Sequence, residues 1–326
     1  MPMKGFITRS AAALLLALAL LASPAQASEC GRLCDEAFWQ TATPQQVEAE
    51  IKAGANPNGR DEGGFTPLHQ AAFWEKPEAI KALVRAGADL EAKTNTTTFH
   101  GAPPLHWAAR GRIAATVALL DAGADPNSRE IDGWTPLHQA AQYGTDKIIK
   151  SLVQAGANLN ARDKNGWSPL HRAAYWGKAE MVEALLDAGA NPKARDEDGK
   201  TPLYAAAYGG IAEIVNALLN AGANLEARAK YGLTPLHGAA GWGTAGTVEA
   251  LARAGANLEA RDENGWSPLH RAAYWGTAQT VKALLDAGAN PKARDEDGRT
   301  PFDLAKDNDK LTGTDAWWRL HDAQFD

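Results

Sequence analysis

Cysteine is nearly absent from this sequence. Cys30 and Cys34 are the two present, and with no histidine in that stretch they fall short of the four ligands a structural zinc needs. Positive charge is scarce too: 33 Lys and Arg stand against 39 Asp and Glu, a formal charge of −6. That balance argues against a nucleic-acid partner, because phosphate binding needs a basic face. It leaves proteins and neutral ligands open. No apolar run reaches the roughly 20 residues of a transmembrane helix; residues 11–22, all Ala and Leu, fall short. Catalytic signatures are missing as well. There is no Gly-x-Ser-x-Gly, no His-Glu-x-x-His and no phosphate-cradling glycine loop. An enzyme is not expected, and no cofactor or metal is assigned.

What is present begins with a leader. Lys4 and Arg9 precede the apolar stretch, and Ala25-Gln26-Ala27 follows it. A positive start, an apolar middle and a small-residue end make the three parts of a secretory signal peptide. Residues 1–27 are expected to be removed, leaving Ser28 first and taking the charge from −6 to −8. Glu29, directly before Cys30, argues against a lipid-anchored start. The expected compartment is the periplasm of a bacterium, with the extracellular medium second. In an exported chain an even pair of cysteines points to a Cys30–Cys34 disulfide, of small effect because the loop is short. Two free thiols at a helix start are the alternative.

After the leader the chain repeats itself. Residues 165–177, Asn-Gly-Trp-Ser-Pro-Leu-His-Arg-Ala-Ala-Tyr-Trp-Gly, return unchanged at 264–276. One proline counts the period: Pro67, Pro104, Pro136, Pro169, Pro202, Pro235, Pro268 and Pro301, with spacings of 37, 32 and then 33 throughout. Its usual setting is Thr/Ser-Pro-Leu-His, and a Gly-Ala-(Asn/Asp) element follows each time. A 33-residue period with that tetrapeptide resembles the ankyrin repeat family, from Asp61 to the C-terminus. The resemblance implies an all-α solenoid of helix-turn-helix units with β-turn fingers. It would comprise an N-terminal capping unit over 28–58, about seven repeats over 59–294 and a C-terminal capping repeat over 295–326.

The local grammar agrees with that. In the fourth unit Asn165-Gly166 is a tight turn, Ser168 caps a helix and Pro169 takes its first position. Ala173 and Ala174 allow close helix approach, and Gly177 breaks the helix. Val182, Leu185 and Leu186 then make one apolar stripe, which Gly189 ends. At the front, Asp35–Gln40 reads as a short helix with Phe38 and Trp39, and Thr43-Pro44 starts another. At the back, Thr314 caps a closing helix with Trp317, Trp318 and Leu320. The second repeat departs: it carries an inserted loop over 93–102, Pro103 stands in the cap position, and one residue is missing near Arg110-Gly111. A slight break in the stack is expected there. The fifth has Tyr204 in the histidine slot, and the last has Phe302-Asp303 in place of Leu-His. Segments 167–202 and 266–301 differ at five of 36 positions, which points to duplication of a three-repeat block.

Six histidines, His69, His106, His138, His171, His237 and His270, share one slot. The resemblance implies that each hydrogen-bonds neighbouring backbone and ties repeats together. A metal array fails on spacing: stacked repeats lie about 10 Å apart, against ~2 Å for a ligand bond. A recurring arginine, seen at Arg195 and Arg294 before Asp-Glu-Asp turns, is expected to form solvated ion pairs between fingers, each of about 0–1 kcal/mol.

The aromatics carry the functional reading. Eleven Trp is a high count. In the family it resembles, partner-facing positions flank the turn glycine and follow the Ala-Ala pair. Those slots hold Phe65, Trp134, Trp167, Tyr231 and Trp266 on the fingers. At the helix ends they hold Phe73, Trp74, Tyr143, Tyr175, Trp176, Tyr208, Trp242, Tyr274 and Trp275. Arg172 and Arg271 lie one helical turn behind the second group. The expectation is a concave aromatic strip for a protein partner, since Trp, Tyr and Arg dominate interface energetics; rings that merely cover helix ends are the bland alternative. The acidic fingers would attract a basic surface. The implied protein is a monomeric, non-catalytic scaffold, adaptor or inhibitor. The runner-up is a glycan or cell-wall binder using stacked Trp and Tyr. A third reading, secretion into a host, rests on the acceptor pattern Asn95-Thr96-Thr97.

Overall fold

The computed structural model describes residues 30–95 and 101–325. The expected signal peptide, its cleavage point at Ser28, and Thr96-Thr97 of the acceptor pattern lie outside the described residues. A 3-10 turn, Gly31–Cys34, leads into α1 (Glu36–Thr41) and α2 (Pro44–Lys52). Seven helix pairs follow. They are α3 (Pro67–Phe73) with α4 (Pro77–Arg85), α5 (Pro104–Ala108) with α6 (Ile113–Asp121), and α7 (Pro136–Tyr143) with α8 (Asp146–Gln154). Then come α9 (Pro169–Trp176) with α10 (Ala179–Asp187), α11 (Pro202–Gly209) with α12 (Ala212–Asn220), α13 (Pro235–Trp242) with α14 (Ala245–Arg253), and α15 (Pro268–Trp275) with α16 (Ala278–Asp286). α17 (Pro301–Ala305) and α18 (Asp315–Asp322) close the stack. First helices pack on first helices and second on second, so two helical layers run the length of the array. Among the described residues there is no strand.

Each first helix starts where the chain dictates. Proline fixes φ at the first helical position, and in every first helix but α5, where Pro103 stands, the residue before it is Thr or Ser in the cap position. In α9, Ser168 Oγ accepts the His171 N–H, and His171 Nδ1 accepts the Ser168 N–H at 3.1 Å. The imidazole thus fills the role Glu or Gln plays in a capping box. With Nδ1 accepting, the proton sits on Nε2, which donates to a carbonyl of the next repeat. The bonds run from His69 to Ala102, His138 to Trp167 and His237 to Trp266, each at 3.0 Å. His106, His171 and His270 do the same to Trp134, Lys200 and Arg299. This is the tie between repeats that the resemblance implies.

The second helices end on a glycine with positive φ, Gly189 at +96° in the fourth repeat, and the Ala190 N–H reaches back to the Leu185 carbonyl at 2.9 Å. That closes the Schellman pattern and satisfies a terminal carbonyl. Gly276 is needed for another reason: a Cβ there would stand 2.6 Å from the Ala240 carbonyl of the preceding repeat. Between the layers, Leu137, Leu170, Leu203 and Leu269 are wholly buried with the paired alanines beside them. Burial of each leucine contributes about 2 kcal/mol, and truncation to Ala costs about 2–5 kcal/mol. No repeat buries this stripe alone; the next one covers it.

The finger arginines correct an expectation. Among the described residues, the ion pairs seen on the fingers do not join these arginines to acidic turns across the stack. Arg129 donates to the Arg162 carbonyl at 2.7 Å, Arg195 to Arg228 at 2.6 Å and Arg228 to Arg261 at 2.9 Å. The acids are neutralised within their own finger instead, Asp198 by Lys200 and Asp297 by Arg299. A guanidinium can bond two carbonyls at once, as Arg129 does with Gly133 and Arg162, and unpaired finger carbonyls are the nearest acceptors.

Both ends are capped. Trp39 is fully buried and its indole N–H donates to the Leu33 carbonyl at 2.8 Å. Cys30 and Cys34 lie bonded to each other, Cα atoms 5.7 Å apart. At the other end, Thr314 accepts the Trp317 N–H, and α18 lays Leu320 and Trp317 over the last repeat, Trp317 meeting Phe302 edge-on at 5.1 Å.

Candidate functional site

The finger rings are set by a short turn. Asp163 accepts the backbone N–H of Asn165 and of Trp167, both at 2.9 Å, which folds the turn and aims the indole along the stack. The Trp167 indole N–H then donates to Asp196 of the next finger at 3.0 Å, and the Trp266 indole repeats the bond to Asp295. Burial pushes the Asp196 carboxyl up from its ordinary value, against the bonds it accepts from Lys200 and Trp167. These two tryptophans are therefore joints between fingers.

The two arginines behind them are also committed. Arg172 binds Asp163 at 2.5 Å and lies 4.0 Å from the Trp134 ring and 4.7 Å from that of Trp167. Arg271, in an identical local sequence, reaches Asp262 through two nitrogens but turns beneath Trp275, 5.2 Å away. The difference lies one repeat earlier: the slot of Trp134 holds Leu233, which offers no π face. Arg271 and Trp266 are buried, at 6% and 8% exposure. Of the sixteen residues expected to face a partner, these two are placed under the surface, and Trp167 and Arg172 are half-buried supports.

The helix-end residues form the open face. Tyr175, Tyr208, Trp242 and Trp275 stack in sequence, with centroids 5.8, 5.3 and 5.2 Å apart and planes within 30° of parallel. The ladder changes register midway. Tyr208 is followed by Gly209, whereas Trp242 is preceded by Gly241, so the run passes from the first ring slot to the second. Trp176 meets Tyr175 edge-on at 4.6 Å and is 58% exposed; Tyr274 meets Trp275 the same way at 4.8 Å.

A second group occupies the other half of the array. Phe65 and Phe73 contact Trp107 at 5.1 and 6.2 Å, and Phe73 contacts Trp74 at 5.5 Å. Tyr143 stands apart under Arg110, 4.6 Å from its ring. The expected single strip is thus two clusters. Trp107, buried, stands in the slot of Arg172, and exposed Arg110 follows Ala108-Ala109 in the slot of Tyr175; the sequence reading passed over both because it followed aromatic residues in the variable slots.

Between the fingers and the ladder lies a cavity of about 550 Å³. Trp167, Tyr175, Tyr208, Trp242, Tyr231 and Tyr204 surround it, with Asp196, Asp198, Lys200 and Lys230 among them. Tyr204 was legible as a substitution for histidine but not as a cavity wall. It is 4% exposed, packs with Ala229, Leu233 and Tyr208 in a small cluster apart from the main core, and burial pushes its hydroxyl up to about 12.

Comparison with known proteins decides what this array is. The family described as "Ankyrin repeats (3 copies)" matches residues 40–130, 105–196, 188–262 and 239–312. The chain belongs to it. Ankyrin repeats bind protein partners and are generally non-catalytic, and this chain is mainly repeats. Similar stretches occur in the tyrosine-protein kinase Shark of Drosophila melanogaster, 36% identical over 31% of this chain and 11% of that protein. They occur also in ankyrin repeat and SOCS box protein 3 of Bos taurus, 36% identical over 27% of this chain and 17% of that one. SH3 and multiple ankyrin repeat domains protein 1 of Homo sapiens is 37% identical over 33% of this chain and 5% of its own length. The ankyrin array thus spans a small part of each relative. Among the described residues, no helix is long and apolar enough to cross a membrane.

Proposed function

We propose that the ladder of Tyr175, Tyr208, Trp242 and Trp275 is the anchor by which this ankyrin array holds a protein partner, and that the array works outside the cytoplasm. One observation carries the first part. Four aromatic rings lie stacked across four repeats, with Trp176, Trp242, Tyr274 and Trp275 open to solvent. Packing does not require them there, since each inner helix is already buried through its Leu and Ala residues. Exposed rings on a rigid surface lose little entropy on binding, which is why they serve as hot spots. Glu197 and Glu296 are exposed on the neighbouring fingers and favour a basic partner surface. Export is read from Lys4, Arg9, the Ala/Leu stretch and Ala25-Gln26-Ala27, and the bonded pair Cys30–Cys34 is compatible with an oxidising compartment.

The test is affinity purification from the native organism, followed by titration of the purified partner against the wild-type array and a Trp242→Ala, Trp275→Ala double variant. Each lost ring should cost about 1–2 kcal/mol, so the double variant binds at least tenfold more weakly. Equal affinity for both would remove the ladder from the interface.

A further inference from the structure

Repeats five and six depart from the near-identical repeats on either side. Lys200 and Leu233 stand in the slot of Trp167, Tyr204 in that of His171, Gly238 in that of Arg172 and Gly241 in that of Tyr175. These departures converge. Lys200, Tyr204 and Leu233 line the cavity of about 550 Å³. Gly238 leaves the room that the Tyr204 ring takes: a Cβ there would stand 3.3 Å from Tyr204 Cζ. Gly241 is buried, yet a Cβ added to it would meet nothing within 4 Å. The missing side chains have left space in the middle of the aromatic surface, and the volume falls within the ~300–1,000 Å³ of small-molecule sites.

The lining selects among guests. A cation is disfavoured, because Lys230 already sits 5.1 Å over the Tyr231 ring and Lys200 6.0 Å over that of Tyr204. An anion would meet Asp196 and Asp198, and the Lys200 charge is already held by Asp198 at 2.9 Å. With Arg172 of the lining held by Asp163, two lysines face two carboxylates, and that balance points to a neutral guest. A wholly apolar guest would strip water from these charged groups and return no hydrogen bond. A sugar ring meets both demands. Its C–H faces stack on Tyr and Trp, and its hydroxyls replace the water on Asp198, Lys200, Lys230 and the tyrosine hydroxyls. We propose that this cavity binds one ring of a neutral oligosaccharide. The assignment goes beyond protein docking on the ladder and does not depend on it.

Isothermal titration of the array with maltotriose, cellotriose and the trimer of N-acetylglucosamine tests it, with cosedimentation on insoluble peptidoglycan separating a polymer from a free sugar. At least one trimer should give saturable heat with Kd at or below about 1 mM. Tyr208→Ala and Gly241→Tyr should each weaken it at least tenfold, with thermal melting confirming that both fold. Trp74→Ala, in the other aromatic cluster, should leave it unchanged. Gly241→Tyr is the sharper variant. Gly241 adjoins Trp242 of the cavity wall and has open space around it, so a ring there crowds the sugar while adding to the ladder on which a protein partner would rest. Silence with all three trimers overturns the proposal, as does binding that survives both variants. Saturable binding of N-acetyltryptophanamide with the same dependence on Gly241 and none of the sugars would overturn it too, and would assign the cavity to a partner's aromatic side chain.

Discussion

In six of the repeats a histidine that must stay neutral ties the unit to the next. Burial pushes His69, His106, His138, His171 and His237 down to about 4 from 6.5, and lowers His270. An unfolded chain therefore takes up protons first as the pH falls. The stabilisation is complete above about 6.5 and is lost progressively toward 4. At pH 5 each of the five imidazoles held near 4 forfeits on the order of 2 kcal/mol. Urea midpoints at pH 7 and pH 5 check this. The second should be far lower, and His171→Gln should flatten the difference by one residue's share. Equal midpoints would mean that the rings protonate in place. A second residue-scale contrast separates joints from contact surface. Trp167→Phe keeps the ring but strips the Asp196 carboxylate of its indole partner, at a cost of about 1–3 kcal/mol. Trp176→Ala, on an exposed ring, should change the midpoint by no more than ~0.5 kcal/mol. Chemical denaturation of both variants measures it, and a larger loss from Trp176→Ala would make that ring structural.

At the scale of the element, most of the architecture was legible. Thr or Ser before Pro-Leu-His placed the start of nearly every first helix, and Gly-Ala-Asn placed the end of every second one, because capping and positive φ are local demands on residue type. What could not be read was who meets whom. Trp167 and Trp176 are both rings near the groove, yet one bonds the next finger and the other faces solvent. Arg172 and Arg271 share a local sequence and differ through a residue, Trp134 or Leu233, that lies in the preceding repeat. The cavity was hidden for the same reason, since its walls, Trp167, Lys200, Tyr204, Leu233 and Trp242 among them, come from successive repeats. The clearest element-scale consequence concerns α5. It has five residues, and Pro103 at its cap offers neither N–H nor hydroxyl, so His106 Nδ1 is buried with no hydrogen-bond partner. Pro103 has φ −65° and ψ 164°, close to what Ser168 and Ser267 adopt. Pro103→Ser should therefore fit, supply the missing partner and raise stability by about 0.5–2 kcal/mol. Thermal melting decides it, and a lowered midpoint would show that the Pro103-Pro104 stiffness matters more than the cap.

Across the whole molecule stability is a chain of neighbour contacts, so the weakest joint decides how the array opens. Three observations place that joint at the second repeat. α5 is shorter than the first helix of any other full repeat, it has no side-chain cap, and Arg112 gives α6 none either. On one side of it stand α1 to α4 with the Cys30–Cys34 link. On the other stand five full repeats whose first helices all begin after Thr or Ser, closed by α18. Opening of the joint separates a short front part from a long rear part, and the front has less stacked surface to hold it. Hydrogen exchange should therefore show the amides of α2 and α4 opening at a lower free energy than those of α9, α13 and α15. Pro103→Ser should raise the front part toward the rear without moving the rear itself. Reduction of Cys30–Cys34 should lower the front part alone, and only slightly, because the loop it closes is so short. Uniform protection from α2 to α15 would mean that the shortened helix couples its neighbours as well as a full one does, and that the stack opens as a single unit.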